Sequence, residues 1–311
     1  MTGQKTPLNI LVAGIYWSGS GAVVDYLKGH PDCFVPRGEF TDFKRRGRIG
    51  SLLEAESFAK AKWLARGMWF ETALGKLPAA RIKKIKGVDE SSLTLKAQVK
   101  HNQLKLEYLS QYRRHLRAGG NPADGCVWNR WLRAVGSAYA ADKKAIVWNQ
   151  PVWIGKHERT WPAVFSPFKL MVVHRDPVDQ FAEVVRQGKI GKRKSDPAFD
   201  DAEKDDIAYV LKGIAAKMQS LIALQQQLGQ SHILVVSFES FVKAHKAEAE
   251  HICTFLGLPE AQLLSAPFDP SHSIHNIGIG DTEAIRRMLE NYQPLVKRLY
   301  DLRTQLASTQ S

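Results

Sequence analysis

A chain of 311 residues is long enough to bury a substantial core within one large α/β domain, and a single domain over residues 1–311 is the expected organisation. Its 44 Lys and Arg against 31 Asp and Glu give a formal charge of +13, which favours anionic partners such as nucleotides, acidic polymers or an anionic membrane face. Cys33, Cys126 and Cys253 are scattered and form no CxxC pair, which argues against a disulfide scaffold and a cysteine zinc site.

The opening stretch MTGQKTPLNILVAGIYW lacks the small-residue cleavage pattern of a signal peptide. No run reaches the roughly 20 apolar residues that span a bilayer. A soluble, cytoplasmic protein is therefore expected, with peripheral contact to an anionic membrane face as the one membrane role left open. The first apolar run, Asn9-Ile-Leu-Val-Ala-Gly14, reads as a buried strand. It leads into GIYWSGSG, with Gly14, Ser18, Gly19, Ser20 and Gly21 ahead of a helical pattern. Such a turn wraps backbone N–H groups around an anion at a helix N-terminus, and the same composition also suits an ordinary strand-to-helix turn. A Walker A loop requires GxxxxGK[ST], and the lysine is missing. The dinucleotide fingerprint fails on glycine spacing.

A short strand, Cys33-Phe-Val-Pro36, precedes the loop Arg37-Gly-Glu39-Phe-Thr-Asp42 and the basic cluster 44–48. From about residue 49 to 117 apolar residues recur at helical spacing among charges, which predicts a helical insertion. Two further buried strands are Ala145-Ile-Val-Trp148, ending at Asn149-Gln-Pro151, and Lys169-Leu-Met-Val-Val-His174. The second runs into Arg175-Asp-Pro-Val-Asp179, where Pro177 suits the first turn of a helix. A guanidinium at the carboxyl end of a strand is well placed to fork onto a phosphate; a local pair with Asp176 or Asp179 is the competing reading. An amphipathic helix over 205–228, a strand over His232–Phe238 and a helix over 282–306 complete the chain. Basic runs at 81–86 and 189–194 lack the aromatic pattern of nucleic-acid readers, so no nucleic-acid partner is expected. Strands alternating with helices predict an α/β fold: a doubly wound, mainly parallel sheet with flanking helices and the helical insertion.

These segments together resemble the sulfotransferases that use 3′-phosphoadenosine 5′-phosphosulfate (PAPS), and more closely the bacterial sulfotransferase-like proteins with a WSGS-type first loop. Trp17-Ser18-Gly19-Ser20 matches their 5′-phosphosulfate loop, and Arg175-Asp176-Pro177-Val178-Asp179 their 3′-phosphate segment. Val236-Ser-Phe-Glu-Ser-Phe-Val242 and Ile252-Cys-Thr-Phe-Leu-Gly-Leu258 match a later strand and helix. Ser271-His-Ser-Ile-His-Asn-Ile-Gly278 stands where a loop closes over the nucleotide.

The resemblance implies a P-loop-like sulfotransferase fold. It implies sulfuryl transfer from PAPS to an acceptor hydroxyl, with a carbohydrate or polysaccharide as the expected acceptor, and a chemistry that needs no metal. On it, Gly14, Trp17, Ser18, Gly19, Ser20, Gly21, Arg175, His275 and Asn276 bind the donor. Glu39 is the implied base, with Asp42 second, and Arg37 orients the acceptor or the sulfonate. Two positions depart from the family pattern: Trp17 stands where Lys or Arg is usual, and Glu183 where a serine is usual. Arg37, Lys156 and Arg186 are the cations available to compensate. The rival functions are a nucleotide- or sugar-phosphate kinase with a degenerate P-loop, and a non-catalytic anion- or polysaccharide-binding protein.

Overall fold

In chain order the elements are β1 (Leu8–Gly14), α1 (Ser20–Gly29), β2 (Cys33–Phe34), α2 (Ile49–Leu53), α3 (Phe58–Leu74), α4 (Leu95–Arg117), α5 (Cys126–Tyr139), β3 (Ala145–Asn149), α6 (Trp161–Phe165), β4 (Phe168–His174), α7 (Pro177–Arg186), α8 (Asp206–Leu228), β5 (Ile233–Ser237), α9 (Phe238–Lys243), α10 (His245–Leu256), α11 (Pro270–Ser273), α12 (Glu283–Leu289) and α13 (Gln293–Ser308). They come from a computed structural model that describes residues 6–36, 38–45, 47–74, 95–193, 198–260, 263–264 and 267–308. Arg37 and the basic run 81–86 lie outside the described residues.

The five strands form one sheet in the order β2-β3-β1-β4-β5. β2 and β3 pair in parallel with Cys33 opposite Ala145, and β4 and β5 pair in parallel from Leu170 opposite Ile233 to His174 opposite Ser237. The α/β architecture expected from the apolar runs is the one observed. The long runs are apolar and almost wholly buried: Ile10 to Ala13 and Leu170 to Val173 have no exposed surface. Strands covered on both faces read as continuous apolar segments for that reason.

The chain divides into two compact units. Unit 1 comprises Met1–Ile10, Asp32–Val152 and His157–Phe168; unit 2 comprises Leu11–Pro31, Trp153–Lys156 and Lys169–Ser311. In unit 1 the described part of the predicted insertion consists of α2, α3 and α4 with a short turn between α2 and α3, and α3 packs on α4 and α4 on α5. In unit 2, α8 packs on α13. By length and composition α8 could cross a membrane, and 61% of its apolar window is buried within the protein.

The helix predicted over 282–306 is broken into α12, a 3-10 turn at Glu290–Tyr292, and α13. Pro294 explains the restart, because its nitrogen has no hydrogen to donate and its ring collides with the carbonyl four residues back. At the beginning of a helix the same residue is tolerated.

The core of unit 1 contains one buried polar pair. Asn9, 3% exposed, donates from Nδ2 to the Phe165 carbonyl at 2.7 Å and accepts the Trp148 indole N–H at 2.8 Å. Aromatic rings surround it: Phe40 lies 4.6 Å from Trp148 and 6.2 Å from Phe165 between centroids. Asn9→Ala would leave the indole N–H and the Phe165 carbonyl without their partner in a dry site, and an unsatisfied buried group costs about 1–3 kcal/mol. Urea denaturation should read a loss of that size, and a change below about 0.5 kcal/mol would contradict the pairing.

Candidate functional site

The loop after β1 begins beside β4, where the Ile15 amide donates to the Val173 carbonyl at 3.1 Å. Its backbone is then forced into the left-handed region, with φ of 25° at Tyr16, 58° at Trp17 and 81° at Gly19. Only glycine takes that region freely, and a non-glycine residue there costs on the order of 1–3 kcal/mol. Gln180, fully buried in α7, holds the strained turn. Its side-chain amide nitrogen, Nε2, donates to the carbonyls of Ile15 and Tyr16, the latter at 2.7 Å. With these carbonyls bound to Gln180, the turn continues into α1, whose first amides have no intrahelical acceptor. Ser18 is 2% exposed, and its hydroxyl is buried without a hydrogen-bond partner.

Gly19 is fixed by sterics as well as by φ. A Cβ there would lie 2.5 Å from Cδ2 of Phe238. The same phenyl ring carries the Arg175 guanidinium 5.1 Å from its centroid. Phe238 therefore touches both the glycine turn and the arginine at the end of β4.

Arg175 is 3% exposed, and its Nε is buried without a partner. One terminal nitrogen donates to the backbone carbonyl of Asn276. Burial pushes the guanidinium below its ordinary value, opposed by the charges of Asp179, Glu183 and Glu239. The local pairing that the sequence leaves open does not form. Asp176 caps α7, accepting from the amides of Val178 at 2.9 Å and Asp179 at 3.1 Å. Asp179 accepts from the amides of Gly278 and Gly280, each at 2.8 Å. Gly280 has to be glycine, since a Cβ would meet Val178 at 2.6 Å. Asp179 thus anchors the 271–280 loop rather than neutralising Arg175. His174 is pushed down to about 4 by burial and by Arg303, against Glu239, so at neutral pH it adds no charge beside Arg175.

Glu183, in the position where the resemblance has a serine, accepts from Arg186 and, at 2.8 Å, from Gln187. Arg186 also donates to Oδ1 of Asn276 at 3.0 Å. A concavity of about 420 Å³ in unit 2 is lined by Trp17, Gly19, Gly21, Arg175, Glu183, Arg186, Phe238, His272 and Asn276, among others. That volume falls in the range of small-molecule sites. Of the predicted donor residues, Trp17, Gly19, Gly21, Arg175 and Asn276 line it together, and Ser18 and Ser20 are buried in the same turn. Gly14 ends β1. His275 is exposed and is not among the lining residues. Of the compensating cations, Arg186 lines the concavity, Lys156 lies over the ring of Trp153, and Arg37 is outside the described residues.

In unit 1 the Phe40 amide donates to the Asn149 carbonyl at 2.8 Å, which sets Glu39 at the carboxyl end of β3. The Glu39 carboxylate pairs with Lys44 at 2.8 Å, and its side chain remains 56% exposed while that of Lys44 is 5% exposed. Asp42 is more tightly held. Burial opposes its ionised form, and Lys105 and His101 outweigh burial and hold the carboxyl far below the usual range. It is an ion-pair partner of His101 and Lys105 in α4, which lowers its readiness to take a proton.

Gln180, Phe238 and Arg303 are part of this site and were not singled out from sequence. Gln180 stands three residues after Pro177, one turn into α7 and facing the loop that precedes α1, so the helix spacing is the only signal that marks it.

The chain matches the family model described as "Sulfotransferase family" over residues 7–262. Among solved structures, it resembles the sulfotransferase domain of the Synechococcus PCC 7002 olefin synthase, at 16% identity and a TM-score of 0.50, covering 98% of this chain and 96% of that one. It also resembles the sulfotransferase domain from the curacin biosynthetic pathway, at 15% identity and a TM-score of 0.52, covering 98% and 99%. At such identities the likeness concerns the fold. No curated protein matches the chain. A five-stranded α/β sheet, a glycine turn before α1 and an arginine directly after β4 agree with the family match: the chain belongs to the sulfotransferase family.

Proposed function

We propose that the protein transfers the sulfuryl group of PAPS to a hydroxyl of an acceptor. The observation that carries this reading is the pair of buried, partnerless polar atoms, Ser18 Oγ and Arg175 Nε, on residues of one unit joined through Phe238. Buried polar groups ordinarily have partners, and an anionic ligand supplies both at once. On this reading the turn Ser18 to Gly21 takes the 5′-phosphosulfate. Arg175 and Arg186 take the 3′-phosphate, and the Glu183 carboxylate orients Arg186 instead of facing the anion. Asn276 releases Arg175 as the nucleotide enters, and His275 is carried on the same loop.

PAPS supplies an activated sulfuryl group. The acceptor oxygen forms a bond to sulfur as the bond from sulfur to the 5′-phosphate oxygen breaks, and the electron pair departs with that phosphate. Amides and the Ser18 hydroxyl aimed at the departing oxygen stabilise the charge that develops there. The acceptor proton goes to a base. Glu39 is assigned that role because it is at the carboxyl end of a parallel strand, where ligands bind in such sheets, and because its carboxylate is exposed. Arg37 is assigned to the acceptor or sulfonate.

A carbohydrate is the acceptor class proposed. Its support is a groove of about 660 Å³ in unit 1, lined by Arg48, Lys60, Trp63 and Glu71 among others. Trp63 is 73% exposed and offers a flat apolar face for a sugar ring beside groups that bind hydroxyls. The kinase alternative has neither a loop lysine nor the family match in its favour. Non-catalytic anion binding remains the second reading, favoured by the apolar Trp17 where a cation is usual.

Isothermal titration distinguishes these. The wild type should bind 3′-phosphoadenosine 5′-phosphate in preference to ATP, and Arg175→Gln should weaken it by about 10–100-fold. A preference for ATP with magnesium would contradict the donor reading. Glu39→Gln should leave nucleotide affinity unchanged while lowering transfer of labelled sulfate by roughly 10²–10⁴-fold. An unchanged rate would remove Glu39 from the role.

A further inference from the structure

Arg175 has several carboxylates near it, yet among the described residues no ion pair joins it to any of them, and two of these carboxylates, Asp176 and Glu239, are held by the C-terminal helix. Arg303 of α13 donates through Nη1 to Asp176 at 2.9 Å and through Nη2 to Glu239 at 2.7 Å. Tyr300, one turn earlier, donates its hydroxyl to Asp176 at 3.0 Å. Glu239 in turn accepts the Asp176 amide at 2.7 Å and the Ser237 hydroxyl at 2.9 Å. The peptide that carries Arg175 is therefore bracketed: two nearby carboxylates, Asp176 next in sequence and Glu239 in space, are engaged by one guanidinium from α13. α13 itself packs on α7 and α8.

We propose that Arg303 is a positioning residue that keeps Arg175 available to an anion, by occupying the two carboxylates that would otherwise capture it. A buried guanidinium takes the nearest carboxylate when nothing competes, since charge-assisted pairs are the strong ones in a site of low polarity. With Arg303 removed, Glu239 is freed next to Phe238, whose ring carries the guanidinium, and its charge already acts on Arg175. Arg175 would turn to it, and the 3′-phosphate would lose its ligand. This inference rests on the donor reading above and adds to it a selectivity for the 3′-phosphate that depends on α13.

The test compares two nucleotides by titration calorimetry, 3′-phosphoadenosine 5′-phosphate and AMP, which lacks the 3′-phosphate. Arg303→Met keeps much of the side-chain volume and should weaken the bisphosphate about tenfold, as for one misdirected charge-assisted hydrogen bond, with AMP unchanged. Tyr300→Phe, which removes only a hydroxyl, should shift the same ratio by a smaller factor and guards against a folding defect in the first variant. Adding Glu239→Gln to Arg303→Met removes the competing charge and should restore the preference. A merely structural role predicts equal loss for both nucleotides and no rescue, and either result overturns the assignment. A wild type that binds both nucleotides equally would instead overturn the donor reading itself. A full wild-type preference retained in Arg303→Met would overturn the positioning role alone.

Discussion

The ring of Phe238 stands where a side chain at position 19 would have to go, and the Arg175 guanidinium rests over the same ring. This shared contact is the constraint on which the candidate site depends. It makes glycine obligatory in the turn after β1, and it fixes the distance between that turn and the end of β4. Gln180 adds the second restraint by binding the carbonyls of Ile15 and Tyr16 from within α7. Strain in the turn, with two non-glycine residues at positive φ, is sustained only because both restraints are buried and rigid.

Charge is organised around the same point. A formal charge of +13 gives the molecule a general attraction for anions, and on the proposed donor reading the local arrangement supplies the selectivity. Carboxylates near Arg175 are each committed elsewhere: Asp179 to the amides of Gly278 and Gly280, Glu183 to Arg186 and Gln187, Asp176 and Glu239 to Arg303. The consequence is a guanidinium held in the interior over the Phe238 ring, whose one hydrogen-bond partner among the described residues is the Asn276 carbonyl. A peptide carbonyl is a neutral acceptor, which a phosphate displaces in exchange for a charge-assisted pair. Glu183, which replaces a small hydroxyl residue of the family pattern, brings its own cation with it.

Much of this was legible in the sequence. The strands were readable because parallel strands covered on both faces need uninterrupted β-branched runs, and Pro177 marked the first turn of α7. The places of the glycine turn and Arg175 at strand ends suggest an anion site from sequence alone. What stayed hidden depends on distance along the chain. Nothing local announces that Arg303 reaches Asp176 and Glu239, or that Phe238 fills the space beside Gly19, because those pairings are made by packing of segments far apart in sequence. Asp42 looked like a spare base until α4 brought Lys105 and His101 to it. The apolar periodicity of 282–306 runs through Pro294 and predicts one continuous helix, and the backbone chemistry of proline overrides the pattern.

The central claim is that one bisphosphorylated adenosine is gripped at both ends by the glycine turn and by Arg175. A crystal structure of the protein with 3′-phosphoadenosine 5′-phosphate tests it most directly. The account predicts one phosphate against the amides of residues 18–21 and the Ser18 hydroxyl, and the other on Arg175, with the Asn276 carbonyl displaced. A nucleotide seated elsewhere, with the turn empty and the guanidinium still on Asn276, would contradict it.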